Sequence, residues 1–152
     1  MKDCLCSMPP WGPVIARLAL GAIFLAHGSQ KLLGWFGGSG WSSTIGFFQQ
    51  QLGLPAFVAA LVILIEFFGG LGVLLGVCTR PAAAGLAVIM AGAIATVHWQ
   101  NGFFMNWMME PGKGHGIEMN LALLGLALSL VCTGPGKLAL GCLWCGQKEP
   151  AA

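Results

Sequence analysis

Apolar positions along the chain gather into four long runs, at 14–33, 56–77, 82–98 and 117–131. A bilayer core of about 30 Å takes roughly 20 apolar residues in a helix, so each run reads as a membrane-spanning helix. The first three begin just after Pro13, Pro55 and Pro81. A missing N–H costs nothing there, and the fixed φ suits a helix start. The fourth begins with Glu118, a carboxylate favoured at the positive end of a helix dipole. The pattern predicts an all-α integral membrane protein: a four-transmembrane-helix bundle with both termini on the same side. It is expected to form a single membrane domain over 1–152, with short tails at 1–12 and 141–152.

Composition supports that picture. Hydrophobic residues make up 57% of the chain, charged residues 8%, and the mean hydropathy is +0.80. Ordinary globular chains carry about a quarter charged residues, so the deficit points to a lipid solvent. A net charge of +2 is too small and scattered for a nucleic-acid surface. The first apolar run is long and lacks a small-residue cleavage site, so no cleaved signal peptide is expected and all 152 residues are read as mature. With four spans, Lys2, Arg17, Arg80, Lys137 and Lys148 lie on the terminus side, and Lys31 and Lys113 on the other. The positive-inside rule then places the termini in the cytoplasm. The loops "GWFGGSGWSSTIGFFQQQLGLP" and "WQNGFFMNWMMEPGKGHG" fall outside, with their aromatics at the membrane interface. Gln49, Gln50, Gln51 and His115 are expected to face water there.

The runs carry a faint internal echo. Arg17 with His27 in the first matches Arg80 with His98 in the third, and the second and fourth hold Glu66 and Glu118. The segments "RLALGAIFLAHGSQKLLGWFGGSG", "EFFGGLGVLLGVCTRPAA" and "HGIEMNLALLGLALSLVCTGPGKLAL" resemble the DoxX/DoxD family of small four-helix membrane proteins, over about residues 13 to 140. The resemblance implies a membrane redox association. Looser relatives of the family include a membrane subunit of thiosulfate:quinone oxidoreductase and partners of thiol or oxidative-stress systems. It supplies no family-wide catalytic residue to carry over.

The candidate chemistry centres on Glu66 in "LVILIEFFGGLGVLLG". A charge at the bilayer centre costs roughly 2.5–3.5 kcal/mol on insertion scales, so Glu66 is expected to face the bundle interior and find a partner. At about 1.5 Å per residue, Glu66 lies roughly 16 Å below Pro55, and His27 roughly 9 Å below Leu33. These depths let His27 and Glu66 meet directly or through a water. Lys31 follows His27 at i+4 on the same helix face. His98 and Glu118, at the outer ends of the third and fourth runs, complete a candidate cluster of quinone- or proton-pocket residues: Glu66, His27, Lys31, His98 and Glu118.

Three readings compete for this cluster. Glu66 is a structural pin, bonded to His27 or Arg17. Alternatively, the cluster holds a quinone headgroup, with His27 donating to a carbonyl and Glu66 accepting a proton. In the third, the two His and two Glu bind Cu, Fe or Zn. Arg17 reads first as a residue snorkelling to the inner interface, and Lys31 and Arg80 as interface anchors.

All six cysteines map to the terminus end. Cys4, Cys6, Cys142 and Cys145, as "CLC" and "CLWC", could hold a tetrahedral zinc or an iron–sulfur cluster. Redox-active, lipidated or inert thiols are the other readings, and a reversed topology would make these four disulfide candidates.

No nucleotide loop, haem motif or nucleophile triad is visible. The expected role is therefore a DoxX-like membrane subunit of a redox complex, linked to quinone and not catalytic alone. Other membrane subunits and the lipid bilayer are its expected partners, with no nucleic acid. A structural accessory subunit of a larger membrane enzyme and a small-solute transporter with Glu66 on its path are the rival roles.

Overall fold

A computed structural model describes residues 11–141. Among these the chain is all helical. We label α1 (Gly12–Leu33), α2 (Gly40–Leu52), α3 (Ala56–Leu75), α4 (Thr79–Asn101) and α5 (Glu118–Thr133). Three of them, α1, α3 and α4, are long and apolar enough to cross a membrane. With 16 residues, α5 is shorter, about 24 Å at 1.5 Å per residue. The prolines sit where expected: Pro13 in the first turn of α1, Pro55 at the N-cap of α3, and Pro81 in the first turn of α4.

The four longer apolar helices close into a ring. α1 packs on α3 and α5, and α4 packs on the same two neighbours. Leu20 and Phe24 of α1, Val73 of α3, Leu86 and Met90 of α4, and Leu123, Ala127 and Leu130 of α5 meet in one buried core. Burial on α1 recurs at Arg17, Gly21, Phe24 and Gly28, steps of three and four residues that keep one face toward its neighbours.

Glycine sets how close α1 and α3 come. A Cβ added at Gly21 would stand 2.6 Å from the Leu74 backbone nitrogen, and one at Gly70 would stand 2.6 Å from that of Leu25. At Gly28 the nearest atom would be Phe67 Cα, at 2.5 Å. Backbone lies against backbone here, the packing that small residues permit between helices in lipid.

The segment 34–55, expected to be a loop, contains α2. Its C-terminus is capped by Gly53 at φ 63°, whose N–H bonds back to Phe48. The glycine-rich "GWFGGSG" drew the reading toward a loop, and the Ser, Thr and Gly that follow it are weak helix formers, so α2 winds against the surface that α1 and α3 offer. Gln49, Gln50 and Gln51 are exposed as expected, but on the last turns of this helix. α2 rests against α1 and α3.

At the opposite end of the bundle Arg17 departs from its expected role. It is 3% exposed, and its Nη2 donates to the carbonyl of Leu138 at 3.0 Å. The chain beyond α5 folds back to receive it, and Gly141 N–H donates to Gly76 O at 3.2 Å. The Leu138 carbonyl takes one of the guanidinium's N–H groups on the protein side, so the side chain turns inward instead of reaching for the interface. Arg80 lies exposed, with Nη2 donating to Cys132 O at 3.4 Å.

The close approach of α1 and α3 generates a stability test. Gly28→Leu forces a side chain into Phe67 backbone and is expected to destabilise the bundle by about 1–3 kcal/mol or more. Gly125→Ala, where an added Cβ meets nothing within 4 Å, is expected to be neutral or slightly stabilising. Unfolding in a mixed-detergent titration reads both.

Candidate functional site

The face of α1 that carries Gly28 ends one turn later in Lys31. Opposite it on α3, Glu66 lies within a π-helical turn, Ile65–Gly69, a local widening that often marks functional positions. The carboxylate is 3% exposed and the Lys31 side chain 29%. Lys31 Nζ donates to both Glu66 oxygens, each at 2.6 Å. The partner that the apolar helix demanded is therefore Lys31.

His27, the expected partner, is exposed and forms no such bond. Counted round the helix from buried Gly28, His27 lies about 100° away and Lys31 about 60° away on the same side, so Lys31 stands nearer the α3-facing stripe. The lysine stem spans the distance that the shorter imidazole does not. Lys31 itself is no interface anchor, because its charge is spent inward on Glu66.

α2 covers this pair. The Phe48 ring centroid lies 5.7 Å from Lys31 Nζ, within cation–π range. Thr44 Oγ1 donates to Lys31 O at 3.4 Å. Between α1 and α2 lies an open groove of about 310 Å³, lined by Gln30, Lys31, Gly38, Ser39, Thr44, Phe47 and Phe48. Lysine carries three N–H donors. Two are committed to Glu66, leaving one for whatever occupies the groove.

His98 and Glu118 do a different job. His98 closes a second π-helical turn, Ile94–His98, and its Nδ1 lies 2.8 Å from the carbonyl of His115. A carbonyl only accepts, so Nδ1 carries the proton. Glu118 Oε2 accepts the Met105 N–H at 3.0 Å. Both side chains fasten the 102–117 loop rather than joining Lys31 and Glu66. His115 is exposed, as expected.

That loop has a hub which sequence reasoning missed. Asn106, 6% exposed, donates through Nδ2 to Glu110 O at 3.0 Å and Lys113 O at 2.8 Å, while its Oδ1 accepts Glu110 N–H at 3.0 Å. An asparagine shortly before the Pro-Gly of "MNWMMEPGKG" is the available signal, since Asn side chains close turns on their own backbone. The hub leaves Trp107, Met108 and Met109 largely exposed.

Among the described residues no group of three or more His, Cys, Asp or Glu is placed to hold a metal ion. His27, His98, Glu66 and Glu118 are accordingly not a ligand set. Cys4, Cys6, Cys142 and Cys145, the candidate metal ligands of the tails, lie outside the described residues. Cys78 and Cys132 are exposed free thiols.

Comparison with known proteins bears on what surrounds this pair. The DoxX family profile matches residues 12–99, which include Lys31, Glu66 and all of α2. The chain belongs to the DoxX family. This DoxX protein is 34% identical to "Putative oxidoreductase CatD" of Bacillus subtilis, over 85% of this chain and 84% of the relative. It is 30% identical to "Inner membrane protein YqjF" of Escherichia coli, over 85% of this chain and 88% of the relative. An uncharacterized membrane protein of Mycobacterium tuberculosis is 31% identical, over 86% of this chain and 80% of the relative. No solved structure matches. The DoxX chain is an integral membrane protein.

Two predictions follow from the geometry. Lys31→Met strands a buried carboxylate and is expected to destabilise the protein by roughly 3–5 kcal/mol, whereas Lys31→Met with Glu66→Leu regains most of that. A double-mutant cycle in detergent unfolding measures the coupling. Asn106→Ala removes three hydrogen bonds from the 102–117 loop. Limited proteolysis within that loop is expected to quicken about tenfold, the equivalent of about 1.4 kcal/mol, with the helices left intact.

Proposed function

We propose that this DoxX protein is a four-span subunit of a redox complex in a bacterial inner membrane, its termini cytoplasmic, and that its Lys31–Glu66 pair meets the headgroup of a quinone. One observation carries the reading: a buried ion pair whose lysine also lines a groove walled by aromatic rings. In this reading α5 is the fourth span, short but apolar beyond its first turn. A quinone supplies a two-electron, two-proton acceptor when bound. The chain's own part is to bind it and handle its protons. The free N–H of Lys31 and the amide of Gln30 are donors for quinone carbonyls, and Phe47 and Phe48 offer faces for a planar ring. Glu66, reached through Lys31, is the proton acceptor. The name of the Bacillus subtilis relative agrees with a redox role, and that of the Escherichia coli relative with the membrane.

A second reading is favoured by the 102–117 loop. Trp107 at 69%, Met108 at 83% and Met109 at 74% exposure stand on a hydrogen-bonded base. Residues of this kind are enriched in protein interfaces. In that reading the chain is an accessory subunit that docks a larger membrane enzyme, and Lys31–Glu66 only pins α1 to α3.

Purification from native membranes in gentle detergent separates the two. Quinone retained by the wild type and lost from Glu66→Gln, with co-purifying subunits unchanged, is the result expected. Partner subunits present in both preparations, with quinone in neither, overturns the quinone site and leaves the accessory role.

A further inference from the structure

Glu66 is 3% exposed, and Lys31 reaches the surface in the groove beneath α2. We infer that α2 is a hinged cover over this pair, swinging from α1 to let the ligand of the site enter and leave. The inference rests on the quinone reading for the identity of the ligand, but not for the movement.

Three features of the chain support a hinge. The first is how lightly α2 is held. Of its 13 residues only Thr44 is buried, while Trp41 and Phe47 are exposed. Its side-chain ties to α1 are the 3.4 Å bond from Thr44 and the 5.7 Å approach of Phe48 to Lys31. Segments with few buried contacts open at a small fraction of the global unfolding free energy.

The second is where the backbone turns. Gly40 (φ 74°) is the first residue of α2, Gly34 (φ 74°) and Gly37 (φ 76°) stand in the connection before it, and Gly53 (φ 63°) follows it. Glycine crosses between left-handed and other conformations without the Cβ penalty, so each end of α2 has a pivot. Phe36, a non-glycine residue at φ 54°, lies in the same connection.

The third is a fixed point beside the pivot. Gly38 packs on the Gln30 backbone more closely than a side chain would allow. The connection is thus anchored to α1 up to Gly38, and the freedom begins at Gly40. α1 and α3, by contrast, are joined backbone to backbone and have no comparable freedom.

Thiol labelling of the full-length protein in lipid nanodiscs, resolved by peptide mass spectrometry, tests the cover. Position 44 is 7% exposed, on the side of α2 that bonds to α1, whereas position 29 is 3% exposed on the fixed helix at the same end. With a small water-soluble maleimide and no ligand, Thr44→Cys is expected to react at least about tenfold faster than Ser29→Cys, relative to each protein's rate when unfolded, a difference of about 1.4 kcal/mol in opening. Phe48→Ala is expected to raise the Thr44→Cys rate further and leave Ser29→Cys unchanged. Equal protection at both positions, unmoved by Phe48→Ala, overturns the cover. A short-chain quinone with every ring position substituted, which does not compete for thiols as an open benzoquinone does, is expected at saturation to slow Thr44→Cys. Fast labelling that the quinone leaves unchanged upholds the hinge and removes quinone as the ligand.

Discussion

A carboxylate in the middle of an apolar helix has to be answered by a donor, and this requirement organises one end of the molecule. Glu66 is met by Lys31 on the neighbouring helix with both oxygens engaged. Such a contact needs the two helices close, and lipid offers no hydrophobic push to bring them together. Close packing supplies the attraction instead. Gly21 and Gly28 on α1 and Gly70 on α3 remove the side chains that would hold the backbones apart. The ion pair and the glycines are two parts of one contact: the glycines bring the helices within reach, and the pair sets their register.

The two ends of the bundle put their buried charges in different surroundings. At the Lys31 end, the ion pair lies beside a groove. At the other end, Arg17 is buried against a backbone carbonyl of the segment that follows α5, so the cation is used to fold the chain back onto the bundle. A buried ion pair beside a groove is suited to chemistry. A buried guanidinium bonded to the backbone is suited to architecture. The loop between α4 and α5 belongs with the second kind, since His98, Glu118 and Asn106 all spend their polar atoms on loop backbone.

The candidate site was only half legible in the sequence. That Glu66 faces protein follows from the cost of exposing it to lipid, and the residue was singled out on that ground alone. Its partner was misread because depth along a helix follows from residue number, whereas rotation about the axis depends on which faces pack. His27 lies near enough in depth but turned aside, and Lys31 was discounted because lysines near helix ends usually reach for water. The cover was missed for a similar reason. Seven residues rich in glycine read as a loop, and the helix after them gains its stability from a surface built by two other segments.

The sequence by itself determined the class of the protein. Backbone polar groups in lipid must be satisfied within the chain, and apolar side chains must clothe them, so long apolar runs commit to helices wherever they occur. Both constraints are local and can be read residue by residue. The identity of the pair, the inward turn of Arg17, and the seating of α2 over Lys31 were decided only by tertiary structure. Each depends on how helices distant in sequence rotate and approach one another, and that balance is set by packing across the whole bundle.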